Sequence, residues 1–136
     1  MKILGVDFGD SRTGFAISDV LGFAANVLDA YKSKSMRSVA DYTIALTKEH
    51  GAEKIILGYP KNMNGTLGPR AQKTQALKEM LEESLDIPII LWDERLTTVS
   101  AHNLMNETNV RGEKRKQSVD SISAAYILQG YLDSIK

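Results

Sequence analysis

The sequence predicts a mixed α/β domain: a five-stranded sheet, three strands antiparallel and then parallel strands, flanked by helices. Three observations predict it. Residues 1–32 hold three β-prone stretches separated by short gaps containing Gly9 and Gly22, the pattern of antiparallel hairpins. Beyond them, segments of helical apolar spacing alternate with short apolar runs, as in parallel strands joined through helices. Finally, the 136 residues suit one domain, taken as 1–136, with no internal repeat, linker or low-complexity stretch.

Each element has its own signal. Met1 to Phe8, Thr13 to Val20 and Phe23 to Lys32 read as strands. Met36, Val39, Ala40, Thr43 and Leu46 then recur at helical spacing, and His50-Gly51 is a stop signal. Lys54 to Gly58 is an apolar run expected to be a buried strand. Tyr59 to Pro69 reads as a long loop, and Leu77, Met80, Leu81 and Leu85 mark a second helix. Pro88 to Trp92 reads as the last strand. Thr97 or Thr98 is expected to cap a short helix running to about Asn106. Glu107 to Lys116 reads as a polar, basic loop. Ser118 is expected to cap a final helix, broadly apolar through Ser121, Ala124, Ala125, Ile127, Leu128, Leu132 and Ile135.

The composition narrows the chemistry. There are no cysteines, so disulfides and thiolate metal sites are excluded, and only His50 and His102 offer imidazoles. A bound metal is therefore expected on oxygen ligands, which favours Mg2+ or Mn2+ over zinc. The formal net charge is zero, which argues against wholesale coating of a polyanion but leaves room for local basic patches. No apolar run approaches a membrane span, and the opening MKILGVDFGD lacks the regions of a signal peptide, so no membrane partner and a cytoplasmic location are expected.

Five segments could carry chemistry. In Gly5-Val6-Asp7-Phe8-Gly9-Asp10-Ser11-Arg12-Thr13-Gly14, a carboxylate ends an apolar strand and glycines allow close approach of a phosphate; the plain alternative is a hairpin turn. In Trp92-Asp93-Glu94-Arg95-Leu96-Thr97-Thr98, two acids and an arginine follow a strand, where ligands of α/β sheets gather. The alternative there is an acid favoured by a helix start, with Arg95 as its surface partner. Asp120 is expected in the first turn of the last helix, where an acid is ordinary dipole chemistry. The loop from Gly58 to Arg70 offers Lys61 and Arg70 to phosphates, and Asn62, Asn64 and Thr66 as hydrogen-bond donors; the plain alternative is a surface loop shaped by its prolines. The run from Arg111 through Lys114, Arg115 and Lys116 could grip a nucleic-acid backbone, or be a solvated loop.

The acids mean more together than apart. Carboxylates crowded at one sheet edge repel unless a cation neutralises them. Asp7, Glu94 and Asp120 thus form a candidate magnesium site, suited to phosphodiester hydrolysis.

At this point the chain resembles the YqgF family, also called RuvX, described as pre-16S rRNA nucleases and earlier as Holliday junction resolvases. The resemblance rests on GVDFGDSRTGFAISD, LGYPKNMNGTLGPRA, LWDERLTT and VDSISAAYILQGYLDS in this order, and covers essentially the whole chain. It implies an RNase H-like fold and an acidic triad at Asp7, Glu94 and Asp120. It also implies a role in maturing the 5′ end of small-subunit ribosomal RNA, with precursor rRNA as partner. Asp10 departs from the family pattern, in which many relatives carry threonine; it adds a fourth acid beside the expected metals. Arg12, Lys61, Asn62, Asn64, Arg70, Arg95, Lys114, Arg115 and Lys116 are the expected substrate-binding residues.

Three other functions compete. A structure-selective DNA endonuclease would act on branched DNA and should be a stable dimer, whereas the expectation here is a monomer or weak homodimer. An actin-like or sugar-kinase-like ATPase would share the DxG turn but needs two such domains, for which the chain is too short. A non-catalytic nucleic-acid binding module would not need the three acids.

Overall fold

The computed structural model describes residues 1–59, 68–93 and 112–135, with 112–120 described by backbone alone. Strands β1 (Ile3–Asp7), β2 (Arg12–Ser18) and β3 (Ala25–Lys32) come first, followed by helix α1 (Met36–His50). Strand β4 (Lys54–Tyr59), helix α2 (Pro69–Ser84), strand β5 (Ile89–Asp93) and helix α3 (Gly112–Ser134) complete the described chain. The strands form one five-stranded sheet in the order β3-β2-β1-β4-β5. β1 pairs antiparallel with β2 and β2 with β3, while β4 pairs parallel with both β1 and β5. The expected mixed sheet is therefore present, and β1 is the strand at which its direction changes.

Local chemistry sets the helix limits. Ser35 caps α1 by accepting a hydrogen bond from the Ser38 N–H at 3.2 Å, and Gly51 closes it with φ 66°. α2 begins at Pro69, whose missing N–H costs nothing in a first turn, so this helix takes in residues from the end of the expected loop. The largest departure is at α3, which begins at Gly112 rather than after Ser118. Glu113, Lys114, Arg115 and Lys116 are good helix formers, and no proline interrupts Gly112 to Ser134. Lys114, Arg115 and Lys116, expected in a loop, lie in this helix, while residues 107–111 lie outside the described residues. The short helix expected near Thr97 to Asn106 and most of the loop after Tyr59 lie outside the described residues.

Each sheet face is covered by helices. On one face, Leu4, Val6, Phe15, Ile17, Ile55 and Leu57 pack with Val39 and Leu46 of α1 and Leu77 and Leu81 of α2. On the other, Ile3, Ala16 and Ile56 pack with Ala124, Ala125, Ile127, Leu128, Tyr131 and Leu132 of α3. Alternation along β1 sends Leu4 and Val6 to the first face and Ile3, Gly5 and Asp7 to the α3 face. A β-carbon on Gly5 would lie 2.8 Å from Leu128 Cβ and 2.9 Å from the Ala124 carbonyl oxygen, closer than real atoms sit. Glycine is thus what lets α3 lie directly on β1. Among the described residues, no helix is long and apolar enough to cross a membrane.

Gly5→Ala should therefore overpack this contact and cost about 1–3 kcal/mol. Equilibrium urea unfolding measures it; a variant as stable as the parent would show that α3 can move away from β1 without loss.

Candidate metal centre and nucleic-acid interface

Strand direction gathers the candidate residues at one edge of the sheet. β1, β4 and β5 are parallel, so Asp7, Tyr59 and Asp93 end their strands on the same side. β2 runs the other way, so it begins there with Arg12, and β3 ends there with Lys32. Crevices outside strand ends are where open α/β sheets bind ligands.

Asp7 is half-buried and pairs with Gly14 of β2, on the face covered by α3. The course of α3 decides what stands opposite. Tyr131 meets Lys54 at the far end of the sheet, where the lysine ammonium donates to the phenol oxygen at 2.7 Å. Ala124 and Leu128 lie over Gly5. The fully buried Ser121 hydroxyl accepts a hydrogen bond from the Phe15 N–H at 3.2 Å, and Phe15 pairs with Val6, next to Asp7. α3 therefore runs antiparallel to β1. Two residues along β1, from Gly5 to Asp7, advance roughly 6.6 Å; one turn back along α3, from Ala124 to Asp120, covers about 6 Å. The helix backbone at Asp120 thus comes level with Asp7.

The longer α3 also changes the meaning of Asp120. It is the ninth residue of the helix rather than a first-turn residue. The attraction of a helix start for an acid fades within the first turn, so that ordinary explanation no longer applies.

The turn after Asp7 is tight and tied to α2. A β-carbon on Gly9 would sit 2.3 Å from the Arg12 carbonyl oxygen, so this glycine serves the turn itself. Arg70, in the first turn of α2, donates to the Phe8 carbonyl at 3.4 Å. Asp10 faces Lys73 of α2 at 3.4 Å, with both side chains largely exposed. Such an exposed pair contributes little stability, but it gives Asp10 a partner on α2 while Asp7 lies on the α3 face.

Of the other expected site residues, Lys61, Asn62, Asn64, Glu94 and Arg95 lie outside the described residues. Lys114, Arg115, Lys116 and Asp120 are placed by helix backbone only. Among the described residues, no three acidic or imidazole side chains form a metal cluster. Sequence reasoning missed two participants, Ser121 and Lys73. A lone hydroxyl in an otherwise apolar helix stripe was the available signal for Ser121; nothing marked Lys73 apart from other surface lysines.

The mixed sheet, the order β3-β2-β1-β4-β5 and the strand-end carboxylate define the class: an RNase H-like α/β fold. Solved structures agree at the level of fold. The chain superposes on Thermus thermophilus RuvC, solved with a Holliday junction substrate, with a TM-score of 0.69 at 10% identity, covering 100% of this chain and 97% of that one. A fowlpox virus resolvase, solved with Holliday junction DNA, gives 0.62 at 14% identity and 99% of each chain. The family profile described as "RuvX: Holliday junction resolvase" matches residues 1–134. Over 135 residues the chain is 49% identical to a protein of Clostridium novyi (strain NT) assigned as a pre-16S rRNA nuclease, covering 99% of this chain and all of that one. A Bacillus licheniformis protein with the same assignment is 43% identical, over 99% of each chain. The chain belongs to the RuvX family.

Ser121→Ala should leave the buried Phe15 N–H without this acceptor and cost about 1–3 kcal/mol. Hydrogen exchange at the Phe15 amide provides the local reading: exchange as slow as in the parent protein would mean the bond does not anchor α3.

Proposed function

We propose that the chain is a divalent-metal-dependent nuclease, a single domain over residues 1–136, that hydrolyses phosphodiester bonds at the 5′ end of pre-16S ribosomal RNA. Asp7, Glu94 and Asp120 hold Mg2+ or Mn2+ in this reading. One observation carries it: the Ser121–Phe15 hydrogen bond fixes α3 so that its backbone at Asp120 is level with Asp7 at the strand-end edge. Glu94 directly follows Asp93, the last residue of β5, in the sequence. The full-length likeness to relatives assigned as pre-16S rRNA nucleases supports the substrate. It also supports the cytoplasm as the place of work.

The donor set fits a hard cation. Every proposed ligand is a carboxylate, and the chain contains no thiol. When bound, the metal supplies an activated water and stabilises the leaving oxygen. The chain's own groups do the rest. Asp7 and Asp120 confer the charge that selects a dication, and repel each other without one. Arg70 holds the Phe8 carbonyl, fixing the turn that follows Asp7. Arg12 stands at the same edge to meet a substrate phosphate. Lys114, Arg115 and Lys116, along the first turns of α3, steer the polyanion toward Asp120. Lys61, Asn62, Asn64 and Arg95 complete the substrate contacts.

Purified protein with Mn2+ should cleave precursor rRNA, and Asp7→Asn or Asp120→Asn should abolish cleavage and weaken Mn2+ binding while the protein stays folded. Calorimetric Mn2+ titration, thermal melts and a cleavage assay read the three effects. Full activity of either variant would remove that residue from the site. A four-way DNA junction run in parallel tests the other substrate class: symmetric cutting of the junction by a stable dimer, with precursor RNA left intact, would make the protein a resolvase.

Replacing Lys114, Arg115 and Lys116 by alanine should reduce the steepness of log Kd against log salt for single-stranded RNA by about 2, since each lost phosphate contact contributes about 0.7. An unchanged slope would mean that these helix residues face only water.

A further inference from the structure

The pairing of β2 with β3 contains an irregularity beside the site. Phe15 pairs with Leu28, but Thr13 pairs with Tyr31, so two steps on β2 match three on β3. This bulge reverses the sidedness of the end of β3. Before it, Leu28 packs on the α1–α2 face and Val27 on the α3 face. After it, Tyr31 faces α1, stacked on Tyr42 with ring centroids 4.1 Å apart, and its hydroxyl bonds Ser38 at 2.5 Å. Alternation then puts Lys32, the register partner of Arg12, on the face that carries Asp7. Without the extra residue, Lys32 would face the opposite side.

Lys32 is exposed, and so is Lys34, two residues beyond it. The Ser33 N–H donates to the Ser11 carbonyl at 2.9 Å, holding this segment against the start of β2. Among the described residues the ion pairs are Arg37–Asp41, Lys73–Asp10 and Lys78–Glu82, so neither Lys32 nor Lys34 is neutralised by a described carboxylate. Strand spacing and rise place Lys32 about 12 Å from Asp7, backbone to backbone.

We infer that Lys32 and Lys34 extend the nucleic-acid site across the end of β3, gripping backbone phosphates that flank the reacting bond. This rests on the nuclease reading and adds a track on the β3 side of the acids. The ligand chemistry is the phosphodiester backbone, without base preference. Lysines on an edge strand can also serve merely to block pairing with another chain, and the salt dependence of binding separates the two roles.

The experiment measures binding of a fluorescein-labelled single-stranded RNA, taken from the 5′ leader of the precursor, across a salt series in EDTA. Lys32→Ala and Lys34→Ala should each lower the slope of log Kd against log salt by about 0.7, and the double variant by about 1.4. Lys48→Ala removes one charge from the end of α1, at the opposite sheet edge, and should leave the slope unchanged. Slopes for the lysine variants equal to that of Lys48→Ala would overturn the inference. A metal-dependent cleavage assay of the parent protein is run separately. Lowered slopes without cleavage would sink the nuclease reading and keep the phosphate track; cleavage with unchanged slopes would do the reverse.

Discussion

The contact between α3 and β1 is the constraint on which the other features of this protein depend. Gly5 has no side chain, and the helix presents Ala124 and Leu128 above it, so the two backbones approach closely. Close approach brings dispersion and desolvation gains from both sides, but only for one sliding position of the helix along the strand. Ser121 fixes that position by taking the Phe15 N–H in a fully buried site. A helix displaced by one turn would lose both contacts together. The level at which the α3 backbone meets the end of β1 is set by this packing.

Topology explains why the chemistry is concentrated at one edge. β1 is antiparallel to β2 and parallel to β4. Four strands therefore end, and one begins, on the same side of the sheet. The residues delivered there alternate between faces, so neighbouring acids acquire different surroundings. Asp7 lies on the face of α3, while Asp10, three residues later, meets Lys73 of α2. A fourth acid in the sequence is thus partly offset by a lysine. The bulge in the β2–β3 pairing applies the same logic to cations, packing the half-buried Tyr31 against α1 and turning Lys32 toward the face of Asp7.

Much of this was legible in the sequence because it depends on local signals. The three opening strands, α1 from Met36 to His50 and the apolar strands β4 and β5 follow from period, turn residues and caps. Asp7 was legible as a strand-end acid, because an apolar run that stops at an acid and a glycine marks its own end. The start of α3 was misread: Glu113 to Lys116 have the polarity of a loop and the propensity of a helix, and polarity alone does not separate the two. Helix and loop assign different roles to Lys114–Lys116 and to Asp120, so this one boundary changed the reading of the site.

The sequence by itself determined the sheet's mixed character, the lack of any thiol ligand and the strand-end position of Asp7. These depend on composition, periodicity and residue identity, which need no knowledge of distant neighbours. The tertiary structure decided that Asp7 lies on the α3 face while Asp10 meets α2, where α3 sits along β1, and that Lys32 shares the face of Asp7. Each of these is set by a long-range contact: Gly5 under Leu128, Ser121 on Phe15, and the shifted pairing of Thr13 with Tyr31. Such contacts join residues far apart in the chain, or depend on one extra residue in a ladder, and no local pattern encodes them.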